Sequence, residues 1–345
     1  MHAVVVSKQG TPVTPNVRVV SDFPEPRALT AGEVLIRTEA SALNHLDLWV
    51  GRGLPGIDLT YPRIGGSDGC GIVEEVGPGV DASWKGQRVL LNAATPKPDP
   101  IRPGVAYAPT DIEMIGEHIN GAHCARFIAP VAQVLAIGDT DPVQAAGFGL
   151  AMLTAWRCLI SRAQLKAGQW VLIPGIGGGV ATAALQIAQH LGCLTIVTSR
   201  HQWKLDKAKE LGATHGVMDK GADWSREVRG LTGKRGVDVC LDSVGKATHL
   251  WAVKSLARGG TYVTPGCTTG GDAVTDLTRV FWNQLNILGS TMGDMKEFAQ
   301  VVALLRSGAI KPVIDQVFEW KDAVRAYQRL EAGEQLGKIV IRWTS

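Results

Sequence analysis

Several signals that would settle a protein's class are missing from this chain. Its six cysteines, at positions 70, 124, 158, 193, 240 and 267, never form a Cys-x-x-Cys pair, so a zinc ribbon or dithiol motif is excluded and free thiols are expected. No apolar run approaches the roughly 18 residues of a membrane helix. The opening Met1-His-Ala-Val-Val-Val-Ser-Lys8 has no charged stretch before its short apolar one. Neither a membrane span nor a signal peptide is therefore expected, and the cytoplasm is the expected compartment. The formal charge of +3 is small and scattered, so nucleic acid is not an expected partner. There are no internal repeats and no low-complexity tract. What is present, 45% hydrophobic and 19% charged residues, fits a globular protein, and 345 positions suggest two domains.

The chain is organised around Trp170–Gly192. Trp170 to Ile173 is an apolar run with the length of a buried parallel strand. Gly175, Gly177, Gly178 and Gly179 make a tight turn, and Val180, Ala184, Ile187, Ala188 and Leu191 then recur at helical spacing before Gly192. Strand, glycine loop and helix bring backbone N–H groups to a pyrophosphate at a helix N-terminus. Runs at Leu194–Thr198, Val237–Leu241, Gly260–Val263 and Asn286–Leu288 continue a βαβ alternation, the sign of an α/β fold with a doubly wound parallel sheet.

The first 145 or so residues read instead as β-rich. Strands are expected at Ala3–Ser7, Asn16–Val20, Glu33–Ala40, Gly71–Gly77, Lys85–Leu91, Ala122–Ala129 and Val134–Ile137. Residues 93–111 hold five of the seventeen prolines and read as a loop or lobe. A helix is expected from Asp141-Pro142 through Trp156, and others over Lys204–Gly212, Asp294–Ser307 and from Asp322. Gly337-Lys-Ile-Val-Ile341 closes as a strand.

The order of these motifs resembles the medium-chain dehydrogenase/reductase superfamily, most closely its quinone-oxidoreductase-like branch. The resemblance runs through Ala42-Leu-Asn-His-Leu-Asp47, Gly65 to Gly77, Gly86-Gln-Arg-Val89, Leu153-Thr-Ala-Trp156, the glycine loop, Lys204–Gly212, Gly236-Val-Asp-Val239, Asp242-Ser-Val-Gly245 and Gly337-Lys-Ile-Val340. It implies a GroES-like catalytic domain made from residues 1–148 and 294–345, with a Rossmann domain over 149–293. Nicotinamide and substrate would lie in the cleft between the two. Homodimers paired near Ile287 are also implied.

Zinc-dependent members carry Cys, His-Glu and a further Cys or acidic ligand where this chain reads Asn44, Ser67-Asp68 and about Leu150. An amide, a hydroxyl and an alkyl group cannot replace thiolate and imidazole, so no metal is expected. The four cysteines of the family's structural zinc are missing from 93–115 as well. Without a Lewis acid, an unactivated aldehyde loses several kcal/mol of polarisation, whereas an enone or quinone spreads the incoming charge onto a distant oxygen. NADPH-dependent reduction of quinones or other α,β-unsaturated carbonyls is therefore the expected activity. Asn44 is the expected donor to substrate oxygen or ribose. His45 stands where the resembling reductases carry proline and is a candidate proton donor, or else caps a helix start. Asp47 is a catalytic candidate or a helix-start carboxylate, and Tyr61 a cleft or core tyrosine.

For the cofactor, Thr198-Ser199-Arg200 with Lys204 ends the second Rossmann strand without a carboxylate, which suits a 2′-phosphate and hence NADPH. By resemblance the cofactor also meets Thr154, Gly175, Gly177, Gly178, Gly179, Val180, Ser243, Val244, Gly266, Cys267, Thr268, Ser290, Thr291, Met292 and Lys338. Lys338 has a plainer reading as a surface or structural residue, and Cys267 one as an inert thiol. Three rival functions stay open: a reductase of short enoyl-CoA thioesters, a zinc-type alcohol dehydrogenase, and a non-catalytic NADPH-binding protein. The region Gly53-Leu-Pro-Gly56 lacks the tyrosine that some enoyl reductases place there.

Overall fold

The computed structural model describes residues 1–54, 56–97 and 111–343, in two compact units. One joins Met1–Leu150 to Asp294–Ser345, and the other is Ala151–Gly293. In chain order the first unit begins with β1 (Ala3–Val6), β2 (Val17–Val20), β3 (Glu33–Ala42), α1 (His45–Arg52), β4 (Arg63–Ile64) and β5 (Asp68–Val76). It continues through β6 (Arg88–Leu91), β7 (Ala94–Pro96), β8 (Ile112–Met114), β9 (Arg126–Pro130), β10 (Val134–Ala136) and α2 (Pro142–Ala146). Next come α3 (Gly149–Trp156), β11 (Trp170–Ile173), α4 (Gly179–His190), β12 (Leu194–Ser199), α5 (Gln202–Glu210), β13 (His215–Met218) and α6 (Ser225–Leu231). The second unit closes with β14 (Val237–Leu241), α7 (His249–Ser255), β15 (Leu256–Thr264), α8 (Leu277–Asn283) and β16 (Asn286–Gly289). The chain ends with α9 (Met295–Arg306), β17 (Ile314–Glu319), α10 (Ala323–Ala332) and β18 (Lys338–Arg342).

In the first unit the main sheet runs β10-β6-β5-β3-β18-β17, with β9 also on β3. The last strand of the chain thus lies beside one of the first: Ala42 faces Val340 and Ser41 faces Ile341 in antiparallel register. The helix α10 seals this sheet. Ala323, Ala326, Tyr327 and Leu330 are buried on one face, in a core with Val4, Val6, Leu48, Ile339 and Ile341. Burying one such large side chain is worth about 1.5–3 kcal/mol. Asp294 and Glu297 start α9 with a reciprocal capping box, each carboxylate accepting the other's backbone N–H.

The second unit is an all-parallel sheet in the order β13-β12-β11-β14-β15-β16, the doubly wound arrangement with β11 central. Tightly packed alanines set α4 against it: Ala181, Ala184, Leu185 and Ala188 are buried. Of the residues predicted inward, Ala184, Ile187 and Ala188 are buried, whereas Val180 in the first turn and Leu191 at the C-cap are half-buried.

Other expectations shift for physical reasons. The expected strand Ala122–Ala129 begins only at Arg126, because the N–H groups of Ala122, His123 and Ala125 are spent on the carbonyls of Gly66, Gly65 and His2. The expected single helix 142–156 breaks at Gly147, and a π-helix (Arg157–Arg162) follows α3. Most of the proline-rich 93–111 stretch lies outside the described residues, as does Pro55, and its flanks β7 and β8 pair with each other. No helix among the described residues is long and apolar enough to cross a membrane.

Candidate active site

Asn44 lies two residues beyond β3, in extended backbone, and N-caps α1. The capping box there needs an acid three residues on, and Asp47 supplies it: its Oδ2 accepts the Asn44 backbone N–H at 2.8 Å. Asp47 is buried, and its Oδ1 accepts the Gly66 N–H at 2.8 Å, with His123 Nε2 at 3.4 Å. Burial pushes this carboxyl up, but His123 and the two N–H donors outweigh that effect and hold it below the ordinary range. Asp47 is therefore engaged in holding the backbone.

The Asn44 side chain lies in a buried ionic cluster. Lys338 Nζ donates to Asn44 Oδ1 at 2.5 Å and to Asp68 Oδ2 at 2.8 Å. Asn44 Nδ2 donates to the same Asp68 oxygen at 2.9 Å, and Leu150 N–H donates to Asp68 Oδ1 at 2.6 Å. Because an ammonium can only donate, the Asn44 oxygen must face Lys338 and its amino group must face Asp68. The second Asn44 N–H proton has only a stretched 3.5 Å bond to the Ala42 carbonyl. Position 149 must be glycine here, since a Cβ would stand 2.5 Å from Asp68 Oδ1. Lys338, read from sequence as a cofactor contact or as a surface or structural residue, is 4% exposed at its side chain and belongs to this cluster, which rules out the surface reading. In a strand paired on both sides, a buried lysine must point into something polar, and Asp68 and Asn44 supply it.

The other catalytic candidates separate from the cluster. His45 is the first residue of α1 and half-buried. Tyr61 donates its hydroxyl to the Val50 carbonyl at 2.5 Å and packs on the core, and burial raises its phenol.

In the second unit the glycine turn forms as the spacing predicts. Gly175 and Gly177 adopt positive φ, and Gly178 N-caps α4 without a side-chain cap. A Cβ on Gly178 would meet nothing within 4 Å, whereas one on Gly175 would meet Val244 Cγ2 at 2.5 Å. An uncapped helix N-terminus facing open space fits a pyrophosphate. The turn is tied to β12, Gly175 N–H to Thr198 Oγ1 and Ile176 N–H to the Thr198 carbonyl. Ser199 Oγ accepts the His201 N–H, Arg200 is exposed, and Lys204 is buried with its Nζ 5.2 Å from the Trp203 ring. The nearby Asp219 spends an oxygen on the Gly221 N–H.

Two further loops join this edge. Asp242, its carboxyl raised by burial, accepts from Val244 N–H, Gly245 N–H and the hydroxyls of Thr248 and Tyr262, and so shapes the Ser243-Val244 turn. Thr268 N–H and Thr269 N–H bond the Ser243 and Val244 carbonyls, which fixes Gly266, the exposed Cys267 and Thr268 against that turn. Ser290 follows β16; Met292, at φ +49°, receives the Thr154 hydroxyl at 3.9 Å on its sulfur, with Thr291 between them. As an organiser Asp242 could not be read from sequence, because the Tyr262 hydroxyl that completes its shell comes from the neighbouring strand, 20 positions on.

Comparison with known proteins agrees with this geometry. The family model described as "Alcohol dehydrogenase GroES-like domain" matches residues 30–139, and that described as "Zinc-binding dehydrogenase" matches 179–307. A zinc-type alcohol dehydrogenase-like protein of Schizosaccharomyces pombe is 31% identical over 93% of this chain and 94% of its own length. The chain belongs to the medium-chain dehydrogenase/reductase superfamily. A crystal structure of an NAD-dependent alcohol dehydrogenase of the same superfamily superposes with TM-score 0.90 at 32% identity, covering 100% of both chains. A 2-haloacrylate reductase from Burkholderia is 27% identical over 98% of each chain.

The catalytic zinc implied by the family name does not fit the residues present. Asn44 is an amide, the Ser67 hydroxyl donates to the Ile115 carbonyl, and both oxygens of Asp68 are occupied. The Lys338 ammonium on that carboxylate would also repel a dication. Among the described residues no other group of His, Cys, Asp and Glu side chains could hold a metal ion.

Proposed function

We propose that this superfamily member is an NADPH-dependent, zinc-independent reductase of quinones or other α,β-unsaturated carbonyl compounds. The observation that carries the reading is the Lys338–Asp68–Asn44 cluster, an internal cation at the positions where the zinc-type pattern puts its ligands. The kinship to a 2-haloacrylate reductase supports a conjugated acceptor.

The glycine turn 175–179 with Val180 would hold the pyrophosphate, Ser199, Arg200 and Lys204 the 2′-phosphate, and the turns at 243–244, 266–268 and 290–292 the nicotinamide side. When bound, NADPH supplies the hydride. Asn44 turns its loosely held N–H to the substrate oxygen, where negative charge collects as the conjugated system is reduced. Lys338 fixes the amide in that sense and adds positive charge behind it. His45 gives the proton that completes the reduction.

Purified, chelator-treated protein is offered NADPH with one quinone, one enone, one enoyl-CoA and one saturated aldehyde. Turnover of a conjugated acceptor but not of the aldehyde is expected. Aldehyde activity restored only by added zinc overturns the mechanism. The NAD-dependence named for the structural relative sets the rival cofactor. Arg200→Ala is expected to raise KM for NADPH roughly 10- to 100-fold, the worth of one charged hydrogen bond, and to leave NADH unchanged. The chain is also proposed to dimerise through the open edge of β16 and the exposed Leu277, Phe281, Trp282 and Ile287 beside it.

A further inference from the structure

Behind Asn44 runs a second buried chain of polar groups that the proposed chemistry does not use. Trp343 Nε1 lies 2.9 Å from Ser41 Oγ, Ser41 Oγ lies 2.8 Å from His123 Nδ1, and His123 Nε2 faces Asp47 Oδ1 at 3.4 Å. Ser41 and His123 are fully buried and Asp47 is 2% exposed. The direction of the chain follows from donor chemistry. An indole N–H can only donate, so Ser41 accepts that proton; sending its own hydroxyl proton to His123 Nδ1, the other polar atom beside it, keeps that buried hydroxyl from being orphaned. That arrangement puts the ring hydrogen on Nε2, on the side of Asp47. Asp47 in turn accepts the backbone N–H groups of Asn44 and Gly66.

The turn at Gly65-Gly66 is wrapped onto the same groups. A Cβ at 65 would stand 2.7 Å from Asp47 Oδ1 and 2.9 Å from Tyr327 Oη, and one at 66 would stand 2.7 Å from His123 Nδ1. The His123 N–H bonds the Gly65 carbonyl, and the Tyr327 ring meets the imidazole edge-on at a centroid distance of 6.2 Å. One imidazole therefore touches the segment that carries Asp68 and the carboxylate that caps Asn44.

We propose that Trp343, Ser41 and His123 form a directed hydrogen-bond relay whose imidazole Nε2, with no hydrogen-bond partner of its own, faces the Asp47 carboxylate across 3.4 Å, and that His123 is a positioning residue which holds Asn44 and the turn before Asp68 in their working geometry. The proposal rests on the reading that Asn44 meets the substrate oxygen. A misplacement of about 1 Å can cost on the order of 100-fold in rate.

The test has two arms on the full-length protein. In the first, the imidazole ¹⁵N resonances are recorded at neutral pH, and His123 is assigned by its absence from His123→Gln. A bare Nδ1 and a protonated Nε2 are expected, and a proton on Nδ1 overturns the relay. In the second, His123→Phe removes the donor, while His123→Gln keeps an N–H near the Nε2 position. His123→Phe is expected to lower kcat for a conjugated acceptor by roughly 10- to 100-fold, with the Kd for NADPH within twofold of wild type. His123→Gln should recover most of that loss. Wild-type kcat in His123→Phe, or equal losses in both variants with unchanged thermal midpoints, overturns the positioning role. If the wild type reduces no conjugated acceptor, the functional reading fails, and the ¹⁵N result decides the relay by itself.

Discussion

Removing the Lys338 ammonium tests the buried cluster directly. Asp68 has no exposed side-chain surface and Lys338 has 4%, so neither charge can turn to water when the other is lost. Lys338→Met keeps the length and apolar bulk of the stem but strands the carboxylate with only the Asn44 and Leu150 donors. Breaking a buried pair from one side costs about 3–5 kcal/mol, because what remains is an uncompensated charge. At about 2–4 °C per kcal/mol for a unit of this size, the thermal midpoint should fall by roughly 10 °C. Asp68→Asn in the same background removes the stranded charge and leaves an oxygen for Leu150 N–H, so the double variant should recover a large part of the loss. Urea titrations of the four proteins give the cycle. A single-variant loss below about 1 kcal/mol, the value of an exposed pair, would refute the reasoning, as would simple additivity.

Other outcomes follow from the same geometry. Asp47 has a folded-state pKa below its unfolded value, so its stabilisation is complete above the unfolded pKa and lost as pH falls through the folded one. Asp47→Asn should therefore destabilise at pH 7, with the gap to wild type closing below about pH 4 in a urea series. Gly178→Ala should cost no more than about 1 kcal/mol of stability, since its Cβ meets no protein atom, yet weaken NADPH binding measured by calorimetry. Gly175→Ala, with positive φ and Val244 in the way, should lose stability as well as binding. If the proposed dimer forms, Trp282→Asp should lower the mass measured by light scattering from that of a dimer to that of a monomer without changing the circular dichroism.

Local patterns made much of the fold legible. The glycine turn, the strands β11 and β14 and the helix α9 all depend on residues a few positions apart. The strand β13 escaped notice because His215-Gly-Val-Met218 is short and only half apolar. In the site, Asn44, Asp47 and the missing zinc ligands could be read as a motif. The partners of Asn44 could not, because Lys338 is 294 positions away and reaches it through the register of β18 on β3. The same holds for Ser41 with His123 and Trp343, which are 82 and 302 positions distant. Sheet register made these contacts, and no local pattern encodes it.

The order in which a ribosome makes the chain gives the β3–β18 pairing a further meaning. Asp68 is synthesised 270 residues ahead of the lysine that neutralises it, and Ser41 is 302 ahead of Trp343. The unit Ala151–Gly293 is one uninterrupted stretch and can finish folding while synthesis continues. The other unit must wait for its last strand, with a carboxylate destined for burial still seeking water. A chain without β18 would therefore carry a complete second unit beside an unfinished first one, a form that quality-control proteases can tell from the whole.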